Sequence, residues 1–235
     1  MILYHGSNHI IDKPLYGAGK KYNDYGIGFY CTENIELAKE WSVSDNLDGY
    51  VNIYDMDTDG LSILDINGQN YTIIHWLNIL INNRIFDSST PLEREAKRYI
   101  TQEFHVDTDN ADIIKGYRAD DSYFSYAKDF ISGIISYEQL CKALMLGNLG
   151  EQLCKALMLG NLGEQICLKS KKAFESIRFT GYQKVDYNEW YPKKMARDMY
   201  ARNGYKAMEK ENYRKGELYI TKIIDEELKA DDLCI

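Results

Sequence analysis

The sequence has few of the residues and patterns that would place it in a specialised class of protein. It contains only three prolines and four histidines among 235 residues, and its hydrophobic runs are too short to cross a bilayer. Its five cysteines are odd in number, and no two of them have the spacing of a zinc-binding motif. We therefore expect free thiols, no structural metal ion and no membrane-spanning segment.

A surplus of positive charge is also missing. The chain has 28 Lys and Arg against 36 Asp and Glu, which gives a net charge of -8. This balance argues against a broad nucleic-acid-binding face, which needs clustered Lys and Arg to neutralise phosphates, but it leaves room for a local basic patch. Residues 1–5 lack the charged and hydrophobic regions of a signal peptide, so we expect a cytoplasmic protein.

The composition is otherwise typical of a soluble globular protein, with 45% hydrophobic and 27% charged residues. Its 20 tyrosines favour a surface or cleft that is rich in amphipathic rings. The length suits one substantial domain. We expect residues 1–205 to form that domain, and residues 206–235, where charged and apolar residues alternate, to form a charged C-terminal helical extension.

Strand and helix patterns follow one another along most of the chain. Apolar and β-branched runs predict strands at residues 2–4, 50–56, 61–66, 111–117, 166–168 and 182–187. Apolar residues at helical spacing predict helices at residues 34–43, 71–85, 91–104, 122–132, 136–146 and 170–179, and from residue 188 onwards. The turn-forming residues 57–60 predict a hairpin between the second and third strands, and Thr32 is the expected N-cap of the first helix.

The segment of residues 25–41, which reads YGIGFYCTENIELAKEW, concentrates glycine and aromatic residues. Its two glycines let the backbone approach a ligand closely, and its rings, including Tyr30 and Trp41, offer faces for stacking. This make-up is typical of a pocket for a planar ligand. A glycine-marked turn that leads into an ordinary core helix would contain the same residues, so both interpretations stay open on this segment alone.

Residues 118–121, which read RADD, place three charges directly after a predicted buried strand. Charges in such a place cost free energy unless they are paired with each other or used on a ligand. An internal salt-bridge network that holds a loop and a direct contact between Arg118 and a ligand are both compatible with this pattern.

A perfect tandem duplication occupies residues 138–163, where EQLCKALMLGNLG occurs twice in succession. Solenoid proteins have several diverged repeats of longer period, so these two identical copies indicate a local duplication instead. Thirteen residues are not a whole number of helical turns, and glycines interrupt the segment. We expect two short helices, with the extra copy accommodated outward at small loop-closure cost.

Two of these motifs together resemble the histidine-tyrosine-glutamate class of ADP-ribosyltransferases, which includes poly-ADP-ribose polymerases and diphtheria toxin. They are His5-Gly6-Ser7 on the first strand and the YGIGFY segment, which is followed by Trp41 eleven positions after Tyr30. Residues 116–124 and 162–165 look like those of an uncharacterised bacterial family in that superfamily. The resemblance spans roughly residues 5–202 and implies an α+β fold with a split β-sheet core and surrounding helices.

The resemblance also implies that NAD is the co-substrate and assigns residues to it. His5 would bond a ribose hydroxyl, Gly6 would offer its N–H and C=O to the carboxamide, and Ser7 would support the ribose. Tyr30 and Trp41 would flank the nicotinamide ring, whose positive charge favours stacking on aromatic faces. Gly28 and Arg118 are the remaining candidates for contact with NAD.

The catalytic acidic residue of this class lies at the start of a later strand, where this chain has Glu164 followed by Gln165. A carboxylate there stabilises the oxocarbenium-like state that forms when the glycosidic bond breaks, whereas a glutamine orients the ribose but stabilises the charge less. Neighbouring strand residues point to opposite faces, so only one of the two faces the pocket. We expect Glu164 to do so, with Gln165 as the alternative.

The function implied is transfer of ADP-ribose from NAD to a protein or nucleic-acid target, with release of nicotinamide and with His5, Tyr30 and Glu164 or Gln165 as catalytic residues. Bacterial members of this class often act as toxins or anti-phage effectors, which implies a small neutralising antitoxin partner. The alternatives are an NAD-binding module that has lost turnover and an NAD glycohydrolase.

Overall fold

The computed structural model has an α+β fold with two β-sheets, which confirms the expected fold class, and it describes residues 1–68, 70–119, 121–146, 164–209 and 216–233. The first sheet is antiparallel and has the strand order β1-β3-β7. Its strands are β1 (Ile2–Ser7), β3 (Gly49–Met56) and β7 (Ile177–Val185). The second sheet is mixed, with the order β2-β6-β5-β4. Its strands are β2 (Phe29–Cys31), β4 (Ile63–Asp65), β5 (Ile113–Tyr117) and β6 (Glu164–Leu168).

Helices surround the two sheets at most of the positions that the apolar spacing predicts. They are α1 (Ile35–Ser42), α2 (Ile73–Asn83), α3 (Pro91–Glu103), α4 (Asp121–Ile131), α5 (Tyr137–Leu146), α6 (Lys171–Glu175), α7 (Tyr187–Glu209) and α8 (Ile220–Asp225). Local signals explain several of their ends. The N-cap Thr90 accepts from the backbone of Glu93, and the Glu93 side chain accepts in return from the Thr90 backbone, which is a capping box that starts α3 at Pro91. Within the described residues, no helix combines the length and apolar character needed to span a membrane.

In the described part of the chain, the backbones of the two sheets pair at one position and separate beyond it. Tyr4 in β1 exchanges two backbone hydrogen bonds with Thr32, which directly follows β2, at 2.8 and 2.9 Å. One residue further along β1, the His5 side chain contacts the Tyr30 carbonyl instead of continuing a backbone ladder. A cleft therefore begins where β1 and β2 stop pairing.

Apolar side chains fill three layers between these elements. One face of the second sheet packs against α2 to α5, with Trp76, Phe104 and Phe130 fully buried there. The other face of that sheet packs against the first sheet through residues such as Leu3 and Tyr54. The outer face of the first sheet is covered by α1 and α7. The cleft thus lies between rigid, packed elements.

Two expectations for the first half of the chain are wrong. The strands on either side of residues 57–60 do not form a hairpin, because β3 belongs to the first sheet while β4 pairs in parallel with β5 in the second. The turn exists, since Leu61 N–H bonds the Thr58 carbonyl, but it carries the chain from one sheet to the other. The N-cap of α1 is Asn34, whose Oδ1 accepts from two helix N–H groups, rather than Thr32, whose backbone pairs with Tyr4.

In the second half of the chain, the structure differs from the sequence-based predictions in two places. The predicted helix at residues 170–179 is confined to α6, and β7 already begins at Ile177. The C-terminal segment is less solvated than its charges suggest, because Ile220, Ile223 and Leu233 are buried in the core that α2 to α5 build. Ile220 and Ile223, three residues apart on α8, share one face of the helix, and that face packs against the core. Most of the duplicated segment, residues 147–163, lies outside the described residues.

Candidate functional site in the cleft between the sheets

A cavity of about 940 Å³ lies where β1 and β2 separate. That volume is near the upper end of the range for small-molecule sites and suits a ligand of dinucleotide size. Its lining comes from the ends of both strands, the loop of residues 11–24, α1, the residues after β5, β6 and α7. The lining residues include His5, Gly6, Asp24, Gly28, Tyr30, Trp41, Arg84, Arg118, Gln165, Lys194 and Arg197.

The geometry around His5 fixes the protonation of its ring. Nδ1 lies 2.6 Å from the Tyr30 carbonyl oxygen, which can only accept, so Nδ1 carries the proton. Burial lowers the pKa of His5 below its ordinary 6.5, and the hydrogen bond to Tyr30 opposes this shift only in part. The ring stacks on Phe29 with centroids 4.4 Å apart. His5 is therefore neutral at pH 7 and keeps Nε2 as a hydrogen-bond acceptor.

Gly6 has backbone N–H and C=O groups on the cavity side of β1 and a Cα that packs closely against α1. Backbone groups of alternate strand residues point the same way, so Gly6 directs its N–H and C=O to the side on which Tyr4 pairs with Thr32. At Gly6, two residues after Tyr4, the two sheets no longer pair, and Gly6 lines the cavity. A Cβ at this position would lie 2.0 Å from the Ala38 carbonyl oxygen, so glycine is what lets α1 pack directly on β1.

Tyr30 presents a ring that its hydroxyl group holds in place. The hydroxyl donates to the Gly26 carbonyl at 2.7 Å and accepts from the Tyr25 N–H at 3.0 Å. The tight turn that makes this possible needs Gly26, which has a φ of 73°. Burial raises the pKa of Tyr30 far above its ordinary value, so the hydroxyl stays protonated. The ring is thus a fixed stacking surface and not a base.

Trp41 lies near the C-terminal end of α1, on the same cavity as Tyr30. The Arg118 guanidinium carbon is 5.0 Å from the centre of its indole ring, which is a cation–π contact. Among the described residues, the buried indole N–H has no hydrogen-bond partner. Trp41 therefore offers the cavity both an aromatic surface and a cationic neighbour.

Gln165, and not Glu164, lines the cavity. Its Nε2 donates to Asp24 Oδ2 at 2.7 Å and to the Tyr117 carbonyl at 3.3 Å. Both partners are acceptors, so the two amide protons are used and Oε1 is left to accept a hydrogen bond. Glu164 forms an ion pair with Lys115 at 3.0 Å, because adjacent residues of β6 point to opposite faces. We expected Glu164 to face the pocket, but Gln165 lines it instead.

Asp24 is the group that holds this arrangement together. Its carboxylate accepts from Gln165, from the Ala119 N–H at 2.8 Å and from Arg84 Nη1 at 2.8 Å. Burial raises the pKa of Asp24, while these hydrogen bonds and the charge of Arg84 oppose the shift. Arg84 in turn lies 4.4 Å above the Phe124 ring. The carboxylate positions the Gln165 amide, and both of its oxygens accept hydrogen bonds.

The predicted site residues mostly converge. His5, Gly6, Gly28, Tyr30, Trp41, Arg118 and Gln165 line one cavity. Ser7 does not line it and bonds the His9 carbonyl in the turn after β1. No sequence motif indicates a site role for Asp24 in its loop or for Lys194 and Arg197 on α7. Asp120 and the side chain of Asp121 lie outside the described part of the chain, so an Arg–Asp network there stays a prediction.

The described residues contain no group of three or more His, Cys, Asp or Glu that could hold a metal ion.

No curated protein and no solved structure matches this chain. Residues 1–179 match the model of a family described as a protein of unknown function, DUF3990. This stretch runs from β1 into β7 and carries the cavity residues from His5 to Gln165, whereas α7 follows it. The chain belongs to the DUF3990 family.

Proposed function

We propose that the protein is an NAD-dependent ADP-ribosyltransferase that transfers ADP-ribose to a macromolecular target and releases nicotinamide. The observation that carries this proposal is the convergence of His5, Gly6, Tyr30, Trp41 and Gln165 on one cavity between two separating sheets. Each of these groups suits one part of NAD.

The nicotinamide end of NAD fits the groups at the edge of β1. An amide needs one donor and one acceptor for its C=O and NH₂ groups, and the open backbone of Gly6 supplies both. The rings of Tyr30 and Trp41 line the same cavity and suit a flat pyridinium cation, which is attracted to aromatic faces. The hydroxyl of Tyr30 is engaged elsewhere, so it is the ring that recognises the ligand.

The adjoining ribose fits two acceptors of the protein. His5 is neutral and keeps Nε2 as an acceptor, and Gln165 keeps Oε1 because its amide protons are used. Ribose hydroxyl groups donate to such acceptors. Two fixed acceptors on the same cavity would orient the sugar, and holding a reactant in one geometry lowers the barrier to reaction.

In the reaction, the bond between ribose C1′ and the pyridinium nitrogen breaks, and its electron pair leaves with neutral nicotinamide. The positive charge passes to the ribose, C1′ is attacked by a nucleophile of the target, and the proton of the nucleophile passes to solvent water. Gln165 lines the cavity, and its Oε1 is the dipole that we expect to face this charge. The hydrogen bond from Gln165 to the Asp24 carboxylate polarises the amide and strengthens that dipole.

A second candidate is an NAD-binding module without turnover. The observation in its favour is the neutral Gln165 on the cavity, with the carboxylate of Glu164 held outside by Lys115. A glutamine orients ribose but stabilises an oxocarbenium-like charge less than a carboxylate does. Plain NAD hydrolysis is a third outcome. A role as a bacterial toxin or anti-phage effector with a small antitoxin partner stays a prediction.

The test is incubation of the purified protein with NAD labelled in the adenylate part and a bacterial lysate. Label on a protein or nucleic-acid band, lost in Gln165→Ala and Trp41→Ala, is the expected result. Gly181→Ala is the matched control, because a Cβ there meets nothing within 4 Å. Free ADP-ribose without a labelled band would indicate hydrolysis, and NAD binding without nicotinamide release would indicate the binding module. Absence of NAD binding would refute the proposal.

A further inference from the structure

The cavity wall is basic although the whole chain is acidic. Six basic side chains line it, against two acidic ones, in a protein of net charge -8. The basic residues are Lys13, Lys20, Arg84, Arg118, Lys194 and Arg197, and the acidic ones are Asp24 and Asp198. Concentrated charge of one sign in a cleft raises the local concentration of ligands of the opposite sign. The wall therefore favours an anionic ligand.

The basic residues are not equivalent, because some are used by the fold. Arg84 forms the buried ion pair with Asp24. Lys13 and Lys20 lie exposed on the loop of residues 11–24, where a salt-screened contact is weak. Lys194 and Arg197 lie one turn apart on α7 and are partly buried, so they occupy the same face at lower effective dielectric.

This face of α7 is held rigidly against α1. Lys194 Nζ donates to the Val43 carbonyl, the C-cap of α1, at 2.8 Å. Arg197 Nη1 lies 2.9 Å from Glu40 Oε2, an ion pair whose alignment is too poor for a hydrogen bond. Trp190, near the start of α7, is buried with residues of α1 and the first sheet. The two basic groups are therefore placed before any ligand binds.

Both groups have donors left for a ligand. An ammonium has three N–H donors, and Lys194 uses one on Val43. A guanidinium has five, and Arg197 directs Nη1 to Glu40 and Nη2, at 3.9 Å, to Asp198. Burial and the nearby charges of Arg118 and Arg197 lower the pKa of Lys194, while the carboxylates of Asp198 and Glu40 oppose this shift only in part. An anion placed there would reduce the repulsion among the three basic groups. A multiply charged oxyanion matches these donors better than a single carboxylate does.

We propose that α7 supplies the diphosphate subsite of the cavity, in which Lys194 and Arg197 bind the diphosphate. That the diphosphate belongs to a dinucleotide rests on the proposed function. That the subsite binds an oxyanion rests only on the basic residues that line the cavity. These residues follow the stretch matched by the family model, which ends at residue 179. The helix after that stretch thus completes the binding site and determines affinity for the phosphate part of the ligand.

The test is calorimetric titration of wild-type protein and of Lys194→Met with NAD, ADP-ribose, nicotinamide and inorganic diphosphate. Loss of one charge-assisted hydrogen bond should weaken NAD, ADP-ribose and diphosphate binding by about tenfold or more. Nicotinamide should bind both proteins equally. Lys194→Arg should restore affinity. Lys193→Met is the matched control, since Lys193 is exposed, pairs with Glu189 and lies outside the lining.

The outcomes separate this inference from the proposed function. Equal NAD binding by Lys194→Met and Lys193→Met, both with wild-type melting curves, would overturn the subsite and leave the transferase intact. Diphosphate binding that is lost in Lys194→Met, in a protein that does not bind NAD, would support the oxyanion site and refute the transferase. Wild-type protein that binds none of the phosphate ligands would overturn both.

Discussion

Replacing Asp24 with Asn tests whether one buried carboxylate organises the site. The substitution keeps the shape of the side chain but removes its charge, so Arg84 loses its ion-pair partner at 2.8 Å. Gln165 and the Ala119 N–H both donate to Oδ2, so the new amide keeps these two hydrogen bonds only if its oxygen takes that position. Its NH₂ group then replaces Oδ1 and faces the Arg84 guanidinium, which is itself a donor.

The magnitude follows from how deeply the pair is buried. Removing one partner of a fully buried ion pair costs about 3–5 kcal/mol. The Asp24 side chain is 6% exposed and that of Arg84 is 19% exposed, and Arg84 also rests on the Phe124 ring. These features place the cost near the lower limit, at about 3 kcal/mol. For a chain of this size that corresponds to a fall in Tm of roughly 6–12 °C.

Thermal unfolding followed by circular dichroism measures this cost. Asp55→Asn is the matched control, because Asp55 pairs with Arg178 at the surface, where an ion pair contributes about 0–1 kcal/mol. The double substitution Asp24→Asn with Arg84→Met should recover part of the loss, since no buried charge is then left alone. Equal melting temperatures for Asp24→Asn and Asp55→Asn would refute the role assigned to Asp24.

Three further predictions concern other parts of the structure. Gly6→Ala should push α1 off β1, because its Cβ would lie 2.0 Å from the Ala38 carbonyl oxygen, and should lower the free energy of unfolding by about 1–3 kcal/mol in urea titrations. Gly181→Ala, in open space, should leave that free energy nearly unchanged. NAD affinity should stay constant as the pH falls to about 6.5 and decrease only below it, because His5 has a lowered pKa and its protonated ring cannot accept from ribose; affinity that falls already above that pH would contradict this. Glu93, whose hydrogen bonds to Thr90 lower its pKa from 4.5 to about 2, stabilises the fold above pH 4.5 and loses that effect as the pH falls toward 2, so melting curves of Glu93→Gln should differ from wild type at neutral pH and converge with it in acid.

The elements of the fold follow largely from local patterns. The capping box at Thr90 and Glu93, the buried strand before Arg118 and the apolar spacing of α2 are all visible in the sequence. The pairing of the strands, in contrast, is not visible in the sequence. Residues 57–60 form a turn in either topology, and only the partner of β4, which is β5 and not β3, decides between a hairpin and a crossing between sheets.

The candidate site is predictable where a motif fixes backbone and side chain together. His5, Tyr30 and Trp41 lie on short segments whose glycines restrict how they pack, and they converge as expected. The choice between Glu164 and Gln165 depends on the register of β6, in which Gly116 pairs with Gln165. A shift by one residue would exchange their faces, and no local pattern sets that register.

Groups that act through tertiary packing were not predictable from the sequence. Asp24 lies in an irregular loop, and its burial follows from the approach of Arg84 and Ala119, which are distant in the chain. Lys194 and Arg197 lie on a helix that the sequence predicts, but the face that meets the cavity is set by how α7 packs against α1.

A crystal structure of the protein with NAD bound would show whether the cleft between the sheets is the NAD site. We expect the nicotinamide ring between Tyr30 and Trp41, its carboxamide on the backbone of Gly6, and a ribose hydroxyl within hydrogen-bond distance of Gln165 Oε1. A dinucleotide bound outside the cleft, or an empty cleft at saturating NAD, would contradict it.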